Sequence, residues 1–400
     1  MNSQLRKTGA IVLLIIFISL SAPAMAGSQW ETKEINIENS SVTGAGISGD
    51  YIVSLTAGEI MDPSGNRIHL YETDTGENRI IGVPSDGMTV TGEGVLGEYA
   101  VWFETPVALF DDNTSEKKPN SIYLMNITEN TTKVLDLPGD AEWPKIGGGN
   151  LFWSNQSGDS FETGFYLYDI KTGKSEKVTT KNCVDPAGIV YESGNIAYED
   201  QKSLRIYNTK SGKDTVVFEF ESTNESGTNV DSFDMAGDYL VYIRHTVVSR
   251  GDDKGIYYVP CLYTISTGST EILNPKTGEV STSLTYDDKK ALISSPFTDG
   301  KRVGWGYPKS ETDFEIILLE PLTGNITTKT TDGSISDIHL DGNRMVWTVS
   351  HFPSFHSSLV YAEENVRDEN SASRSAPGFS LFTVITSFLL LAIIFIRKRQ

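Results

Sequence analysis

Cysteine, histidine and positive charge are all scarce in this chain of 400 residues. Its two cysteines, Cys183 and Cys261, allow at most one disulfide, so the fold must depend on a hydrophobic core. Five histidines offer few candidates for a metal site or a catalytic triad. Acidic residues outnumber basic ones by 53 to 33, which argues against binding to nucleic acid or to an anionic membrane surface.

Long hydrophobic runs are confined to the two ends of the chain. At the N-terminus, Arg6 and Lys7 precede an apolar core at residues 10–20, which is too short to span a bilayer. The small-residue pattern Ala-Met-Ala follows and ends at Ala26. This order predicts a signal peptide over residues 1–26, cleaved after Ala26.

The C-terminal run predicts a membrane anchor. Residues 379–396 are apolar and cover about 27 Å as a helix, enough for a thin bilayer core. The basic cluster at 397–399 is expected to stay in the cytoplasm, which places the preceding chain outside the cell. A short polar linker, residues 363–376, would then separate the anchor from an ectodomain at residues 27–362.

The anchor begins with Pro377, Gly378 and Phe379. This C-terminal segment resembles the PGF-CTERM sorting signal of archaeal surface proteins, which has the same tripeptide, an apolar run and a basic end. The resemblance covers the C-terminal segment 377–400 up to its basic cluster. It implies that an archaeosortase-like enzyme removes the helix and that a lipid replaces it.

The long Thr-rich stalk often found upstream in that family is missing. A single-pass anchor that is never cleaved is the alternative. Both predict a protein held at the outer face of the plasma membrane.

An exported location changes the meaning of the charge and of the Asn-x-Ser/Thr triplets. Five of the 33 basic residues and no acidic ones lie in residues 1–26 and 377–400, so the ectodomain together with its linker, residues 27–376, has 28 basic against 53 acidic residues, a net charge of −25. This charge favours solubility or a loose association with cations. The triplets become candidate glycosylation sites. They begin at Asn39, Asn113, Asn126, Asn130, Asn155, Asn224 and Asn325.

Between the two ends, one pattern recurs about every 49 residues. Each copy begins with a glycine turn and a short strand rich in Val, Ile, Trp and Tyr, as in GDYIVSL and GEYAVWF. A second strand that usually closes with Thr-Gly, a third strand and a short segment before the next turn complete the copy. Four strands in a repeat of this length predict the blade of a β-propeller. The turns lie at Gly49, Gly97, Gly149, Gly194, Gly237, Gly300 and Gly342.

The seventh copy ends one strand short, and residues 30–37 (WETKEINI) have no partner strands of their own. We predict that this N-terminal strand completes the last blade. The result is an all-β, seven-bladed propeller of four-stranded antiparallel blades with no free sheet edge. An open β-solenoid is an alternative, as are eight blades with an extra hairpin in residues 274–295. The repeats are similar to TolB-like propeller repeats, and this resemblance implies a fold and not an activity.

No pattern predicts a catalytic residue, a cofactor or a metal site. His351 and His356 flank HFPSFH, whose spacing fits neither a helical metal pair nor a zinc knuckle, so we interpret the segment as a loop between strands. His69 is expected to point outward from the middle of a strand. Four tryptophans recur at one position of the repeat, which favours packing between blades over a sugar-binding platform. They are Trp102, Trp153, Trp305 and Trp347.

We therefore expect a non-catalytic surface protein that binds an envelope protein, a peptide or a glycan, or that has a structural role in the cell envelope. The alternative is an exported hydrolase or lyase acting on polysaccharide, since propellers host such chemistry. A convergence of His, Arg and carboxylate groups at one mouth of the central channel would favour the enzyme. A channel lined only by Ser, Gly and apolar groups would exclude it.

Overall fold

In the computed structural model the chain divides into two units. One is the propeller unit, Trp30–Glu363, and the other consists of the two chain ends, of which only Gln29, Glu364 and Asn365 are described. Apart from one short 3-10 turn, Pro63–Gly65, the regular elements in the described part of the chain are β-strands. The structure describes residues 29–37, 40–58, 63–107, 120–137, 141–155, 164–178, 188–222, 226–250, 253–281, 293–310, 312–351 and 356–365.

The strands form seven antiparallel sheets, which are the blades. The first strand of the chain is β1 (Gln29–Ile35). Blade 1 contains β2 (Ser41–Ser48), β3 (Tyr51–Ala57), β4 (Arg67–Glu72) and β5 (Asn78–Gly82). Blade 2 contains β6 (Met88–Leu96), β7 (Tyr99–Pro106), β8 (Ser121–Asn126) and β9 (Thr131–Leu135). Blade 3 contains β10 (Ala141–Gly147), β11 (Asn150–Asn155), β12 (Gly164–Asp169) and β13 (Lys174–Val178).

The remaining four blades follow in the same order along the chain. Blade 4 contains β14 (Val190–Glu192), β15 (Asn195–Glu199), β16 (Ser203–Asn208) and β17 (Asp214–Glu219). Blade 5 contains β18 (Glu221–Ser222), β19 (Ser226–Ala236), β20 (Tyr239–Arg250), β21 (Asp253–Thr264), β22 (Ser269–Leu273) and β23 (Val280–Ser281). Blade 6 contains β24 (Phe297–Thr298), β25 (Val303–Pro308), β26 (Asp313–Glu320) and β27 (Asn325–Asp332). Blade 7 contains β28 (Ser334–Asp341), β29 (Arg344–His351), β30 (His356–Asn365) and β1.

The ring has seven blades and is closed by the N-terminal strand, as predicted. Strand β1 pairs with β30 and forms the outer edge of blade 7. The inner strands contact one another in sequence order around the ring, and β28 of blade 7 contacts β2 of blade 1. The eight-blade and solenoid alternatives are therefore wrong. Residues 274–295, where an extra hairpin was considered, contribute the short strand β23 to blade 5.

The junction between blades 7 and 1 is held by polar contacts as well as by strand pairing. The backbone N–H of Gly49 donates a hydrogen bond to the carboxylate of Asp341 in the neighbouring blade. The guanidinium of Arg344 forms ion pairs with Asp50 of blade 1 and, at 3.4 Å, with Glu363 of its own blade. The contacts of Gly49 with Asp341 and of Asp50 with Arg344 join residues from opposite ends of the chain, so they form only when the ring closes.

The glycine turns of the repeat connect the first and second strands of the blades. In blades 1 and 2 the first turn residue is Gly49 (φ 56°) or Gly97 (φ 55°), a backbone conformation that other residues rarely adopt. No atom lies close to where a Cβ would stand at either position. The backbone angle, and not a lack of space, therefore explains the glycine.

Seven hydrophobic clusters occupy the seven junctions between blades. The four repeated tryptophans are buried in these clusters, each against the preceding blade. Trp102 stacks on Tyr123, and Trp153 stacks on Tyr166, each with ring centroids 5.4 Å apart. The interpretation as packing between blades is confirmed, because each ring fills the space between two diverging sheets.

Candidate functional site

The innermost strands carry β-bulges close to the central channel. Five of the seven have a register shift against their neighbouring strand, and a bulge changes the direction of the side chains beside it. The shifts lie at Val42/Gly44, Thr91/Gly94, Glu142/Lys145, Val230/Ser232 and Ser336/His339.

The third residue from the end of an inner strand is charged or ionisable in three blades. It is Lys145 in blade 3, Asp234 in blade 5 and His339 in blade 7, whereas blades 1 and 2 have glycine there. The charge of Lys145 acts on the pKa values of both Asp234 and His339. Because blades 3, 5 and 7 are not neighbours, Lys145 interacts electrostatically with both groups across the ring.

Asp234 connects two blades through its carboxylate. One oxygen accepts the backbone N–H of Thr298 in blade 6 at 2.8 Å, and the other accepts the N–H of Met235 at 2.9 Å. Burial raises the pKa of Asp234, while these hydrogen bonds and Lys145 act in the opposite direction. The inner strand of blade 6, β24, has only two residues and pairs only briefly with β25. The hydrogen bond from Thr298 to Asp234 therefore adds a connection to blade 5.

His339 is exposed to the channel although protein surrounds it. Desolvation, and next the charge of Lys145, lower the pKa of His339 to about 4. Because the side chain is exposed, solvation limits how far desolvation alone can lower that pKa. Asp337, two residues earlier, has a positive φ of 46°, and its pKa is raised by desolvation. The site therefore combines the imidazole of His339 with the amino group of Lys145 and the carboxyl groups of Asp234 and Asp337.

This arrangement suits a polar ligand that enters the channel. The lysine and the carboxyl groups can form hydrogen bonds with a ligand, and an imidazole can both donate and accept them. No group of three or more His, Cys, Asp or Glu side chains in the described parts of the chain could hold a metal ion. Sequence reasoning missed this set, because Lys145, Asp234 and His339 are separated by long stretches of chain and no local motif connects them.

Three of the candidate glycosylation sites have described side chains. Asn130 and Asn325 are exposed, and Asn126 is half-buried and accepts the backbone N–H of Glu129 at 2.9 Å. These asparagines lie at or beside the turn between the third and fourth strands of blades 2 and 6. Asn155 belongs to β11, but its side chain is not described. The other sites lie outside the described residues: Asn39, Asn113 and Asn224, as do Ala26, Pro377, Gly378 and Phe379.

The expectation for His69 was wrong. The four central residues of β4, including His69, are buried. A third strand of a blade is covered by neighbouring blades on both faces, so alternation between core and solvent does not apply to it. Burial lowers the pKa of His69, and a hydrogen bond with Asn78 opposes this. The side chain therefore belongs to the core.

His351 and His356 are strand residues and not loop residues. They stand opposite each other as Cα partners at the end of β29 and the start of β30. The segment between them lies outside the described residues.

Cys261 has a free, buried thiol, and burial raises its pKa to about 12. Cys183 lies outside the described residues.

Blade 5 differs from the others in the length of its strands and in its buried polar groups. Strands β19, β20 and β21 have 11 or 12 residues, against five to eight for most others. Arg244 and Thr246 lie on the face of β20 that is directed toward blade 4. The Arg244 Nε and the Thr246 Oγ1 are both buried and have no hydrogen-bond partner. The guanidinium lies over the ring of Phe218 in blade 4, 5.1 Å from its centroid.

The corresponding position of blade 2 holds a carboxylate with several partners. Glu104 is the sixth residue of β7, as Arg244 is the sixth residue of β20. Its oxygens accept the N–H of Ser85 at 3.0 Å, the Ser85 hydroxyl at 2.9 Å and the Tyr123 hydroxyl at 3.0 Å. Glu104 is 4% exposed. Its polar atoms are satisfied inside the fold.

Comparisons with known proteins support the fold and nothing finer. No family model and no curated protein sequence matches the chain. The β-propeller domain of the Trilobed protease from Pyrococcus furiosus is similar, with 11% identity, a TM-score of 0.53, and coverage of 82% of this chain and 96% of that one. That domain is described as having an open velcro topology, whereas β1 pairs with β30 in this chain.

Two further solved structures resemble the chain at a similar level. Acylaminoacyl peptidase from Pyrococcus horikoshii shares 9% identity with a TM-score of 0.51, and the match covers 85% of this chain and 54% of that one. An oligogalacturonate lyase in complex with manganese shares 10% identity with a TM-score of 0.50, over 85% of this chain and 98% of that one. At such identities the likeness establishes a β-propeller and does not establish an activity.

Proposed function

We propose that the protein is a propeller anchored at the outer face of the plasma membrane that binds a polar ligand of the cell envelope without converting it. The support for the anchor comes from the sequence: the predicted signal peptide and the Pro377-Gly378-Phe379 segment with its apolar run and basic end. Among the residues that the structure describes, no helix is long and apolar enough to cross a membrane. The predicted anchor lies outside them.

The observation that carries the binding role is the convergence of Lys145, Asp234 and His339 across the channel. Three distant blades supply these groups, so a ligand that contacts them all must enter the centre of the ring. The ligand class that fits is a hydroxyl-rich glycan or a short polar peptide, because both offer donors and acceptors to a mixed set of charges.

The protonation states favour binding over acid–base catalysis. A general base works best when its pKa lies near the working pH, and both desolvation and the charge of Lys145 lower the pKa of His339. The Asp234 carboxylate already accepts hydrogen bonds from two backbone N–H groups, so it serves as a structural support. The Lys145 side chain is exposed and can offer hydrogen-bond donors to a ligand.

Glycan and peptide arrays probed with the detergent-purified full-length protein test the binding role. We expect a glycan or peptide ligand that the wild type binds and that the Lys145→Met variant binds at least about tenfold more weakly, since a charge-assisted hydrogen bond is lost. Lys171→Met is the matched control, because Lys171 is exposed in a turn outside the channel. Equal affinities of Lys145→Met and the wild type would contradict the channel site.

The same convergence is also the feature that favours the alternative, an exported hydrolase or lyase acting on polysaccharide. Incubation with neutral and uronate-containing polysaccharides, with detection of new reducing ends and of unsaturated ends, separates the two functions. Turnover that disappears in His339→Ala would replace the binding proposal with the enzyme. Intact polysaccharide after long incubation is the result expected of a binding protein.

Mass spectrometry of the mature surface form tests the anchor. We expect peptides from the ectodomain and none from residues 388–397, because the proposed processing removes the helix and attaches a lipid. Recovery of peptides from residues 388–397 in the surface form would show that the helix is retained, and with it the uncleaved single-pass anchor.

A further inference from the structure

Arg244 stands apart from the other arginines of the protein. Six arginine side chains are described, and five of them hydrogen-bond or ion-pair with oxygen acceptors. Arg244 makes no hydrogen bond or ion pair with any described residue, although the chain carries a large excess of carboxylates. The five partnered residues are Arg67, Arg79, Arg205, Arg302 and Arg344.

The environment of Arg244 keeps its guanidinium in a fixed place. The side chain is half-buried at the junction of blades 4 and 5, with its charged group over the ring of Phe218. A cation over an aromatic face is favourable, but it uses none of the N–H donors. The Nε–H is therefore buried without an acceptor, which is energetically unfavourable, and more so because the group is charged.

Thr246 provides a second, independent sign on the same face. It lies two residues after Arg244, so the two side chains project to the same side of β20. Thr246 is 6% exposed, and its hydroxyl has no hydrogen-bond partner. Two neighbouring donors without acceptors indicate that the missing acceptor is not part of the described fold.

We infer that Arg244 and Thr246 bind an oxyanion, the carboxylate, phosphate or sulfate group of a ligand, at the junction of blades 4 and 5. The Nε–H and a neighbouring Nη–H of a guanidinium form a fork whose spacing matches two oxygens of such a group. The threonine hydroxyl donates to the same group. This site is separate from the channel site, and Lys145 takes no part in it.

Isothermal titration of the full-length protein with sodium acetate, phosphate and sulfate, at matched ionic strength, tests the site. We expect saturable binding of at least one of the three anions, and the anion that binds identifies the chemistry. Arg244→Lys should weaken the binding about tenfold, because an ammonium cannot provide the fork. Thr246→Val, which keeps the shape and removes the hydroxyl, should weaken it about fivefold.

Two control variants make the result decisive. Arg79→Gln removes one positive charge from a half-buried residue of blade 1 whose guanidinium bonds to Asn130, and it should leave the affinity unchanged. Lys145→Met should also leave it unchanged, so a failure of the channel proposal and a failure of this one are distinguishable. The inference is overturned if none of the three anions binds, or if Arg244→Lys and Thr246→Val bind as well as the wild type.

Discussion

Blades 2 and 5 place opposite charges at the same position of their second strand. In blade 2, Glu104 is surrounded by donors from Ser85 and Tyr123, and every contact lies within the fold. In blade 5, Arg244 lies over Phe218 and has no acceptor. The repeat therefore tolerates a buried charge here, and the neighbouring residues decide whether it stabilises the protein or stays available for a ligand.

The blades also differ in what surrounds these charges. Blade 2 is an ordinary four-stranded sheet, whereas blade 5 has six strands and longer inner ones. In a repeat fold, local departures from the common pattern are where a binding surface can be added without disturbing the ring.

Replacement of Glu104 by Ala should lower the free energy of unfolding by about 3 kcal/mol, because the Ser85 and Tyr123 donors lose their acceptor in a buried place. Urea unfolding followed by tryptophan fluorescence measures the change. Glu98→Ala, at an exposed turn residue of the same blade, is the control. A loss below about 1 kcal/mol would mean that the Glu104 network is not a stabilising part of blade 2.

Replacement of Tyr123 by Phe should cost about 1 kcal/mol, because it removes one hydrogen bond to Glu104 and keeps the stacking on Trp102. Blade 3 offers the matched control, since Tyr166 stacks on Trp153 at the same centroid distance. Tyr166→Phe should change the stability less. Equal effects of the two substitutions would argue against a specific role of the Tyr123 hydroxyl.

Replacement of Arg244 by Met should leave the free energy of unfolding of the ligand-free protein unchanged or raise it by about 1 kcal/mol. The reason is that the substitution removes an unpaired charge from a partly buried position. Arg205→Met is the contrasting variant. Arg205 ion-pairs with Asp200 at 3.4 Å and with Asp214 at 3.1 Å, so its removal should be clearly destabilising. A loss for Arg244→Met as large as that for Arg205→Met would show that Arg244 is structural.

The smallest effect concerns alkaline pH. Burial, and next the hydrogen bond with Glu104, raise the pKa of Tyr123 above its ordinary value of 10.0. The folded protein then holds the proton of Tyr123 more tightly than the unfolded chain does. The contribution of this hydroxyl to stability is therefore complete below pH 10 and is lost as the pH rises further. Stability measured between about pH 9 and about pH 11 should fall less steeply in Tyr123→Phe than in the wild type. Parallel curves would contradict the raised pKa.

The repeat structure could be predicted from the sequence because each blade contains its own local sequence signals. Gly49 and its counterparts mark the turns, the aromatic strands follow at a fixed spacing, and the missing strand of the last repeat identifies β1 as its partner. His69 was misplaced because alternation holds for a sheet with one solvated face, and the third strand of a blade has none.

The candidate sites could not be predicted, because they depend on contacts between blades. Lys145, Asp234 and His339 approach one another only after the ring has closed. Arg244 is unusual because of an absent partner, and a sequence does not reveal which donors will lack acceptors. One signal was present: an arginine within the longest strand pair, at the position where blade 2 has Glu104.

Blade 5 keeps Arg244 for an external oxyanion, whereas blade 2 satisfies Glu104 internally. The most direct test compares the unfolding free energies of the wild type and Arg244→Met as the concentration of the bound anion increases at constant ionic strength. We predict that the variant is at least as stable without the anion, and that the wild type becomes the more stable protein as the anion saturates its site. Curves that stay parallel over the whole titration would contradict the claim.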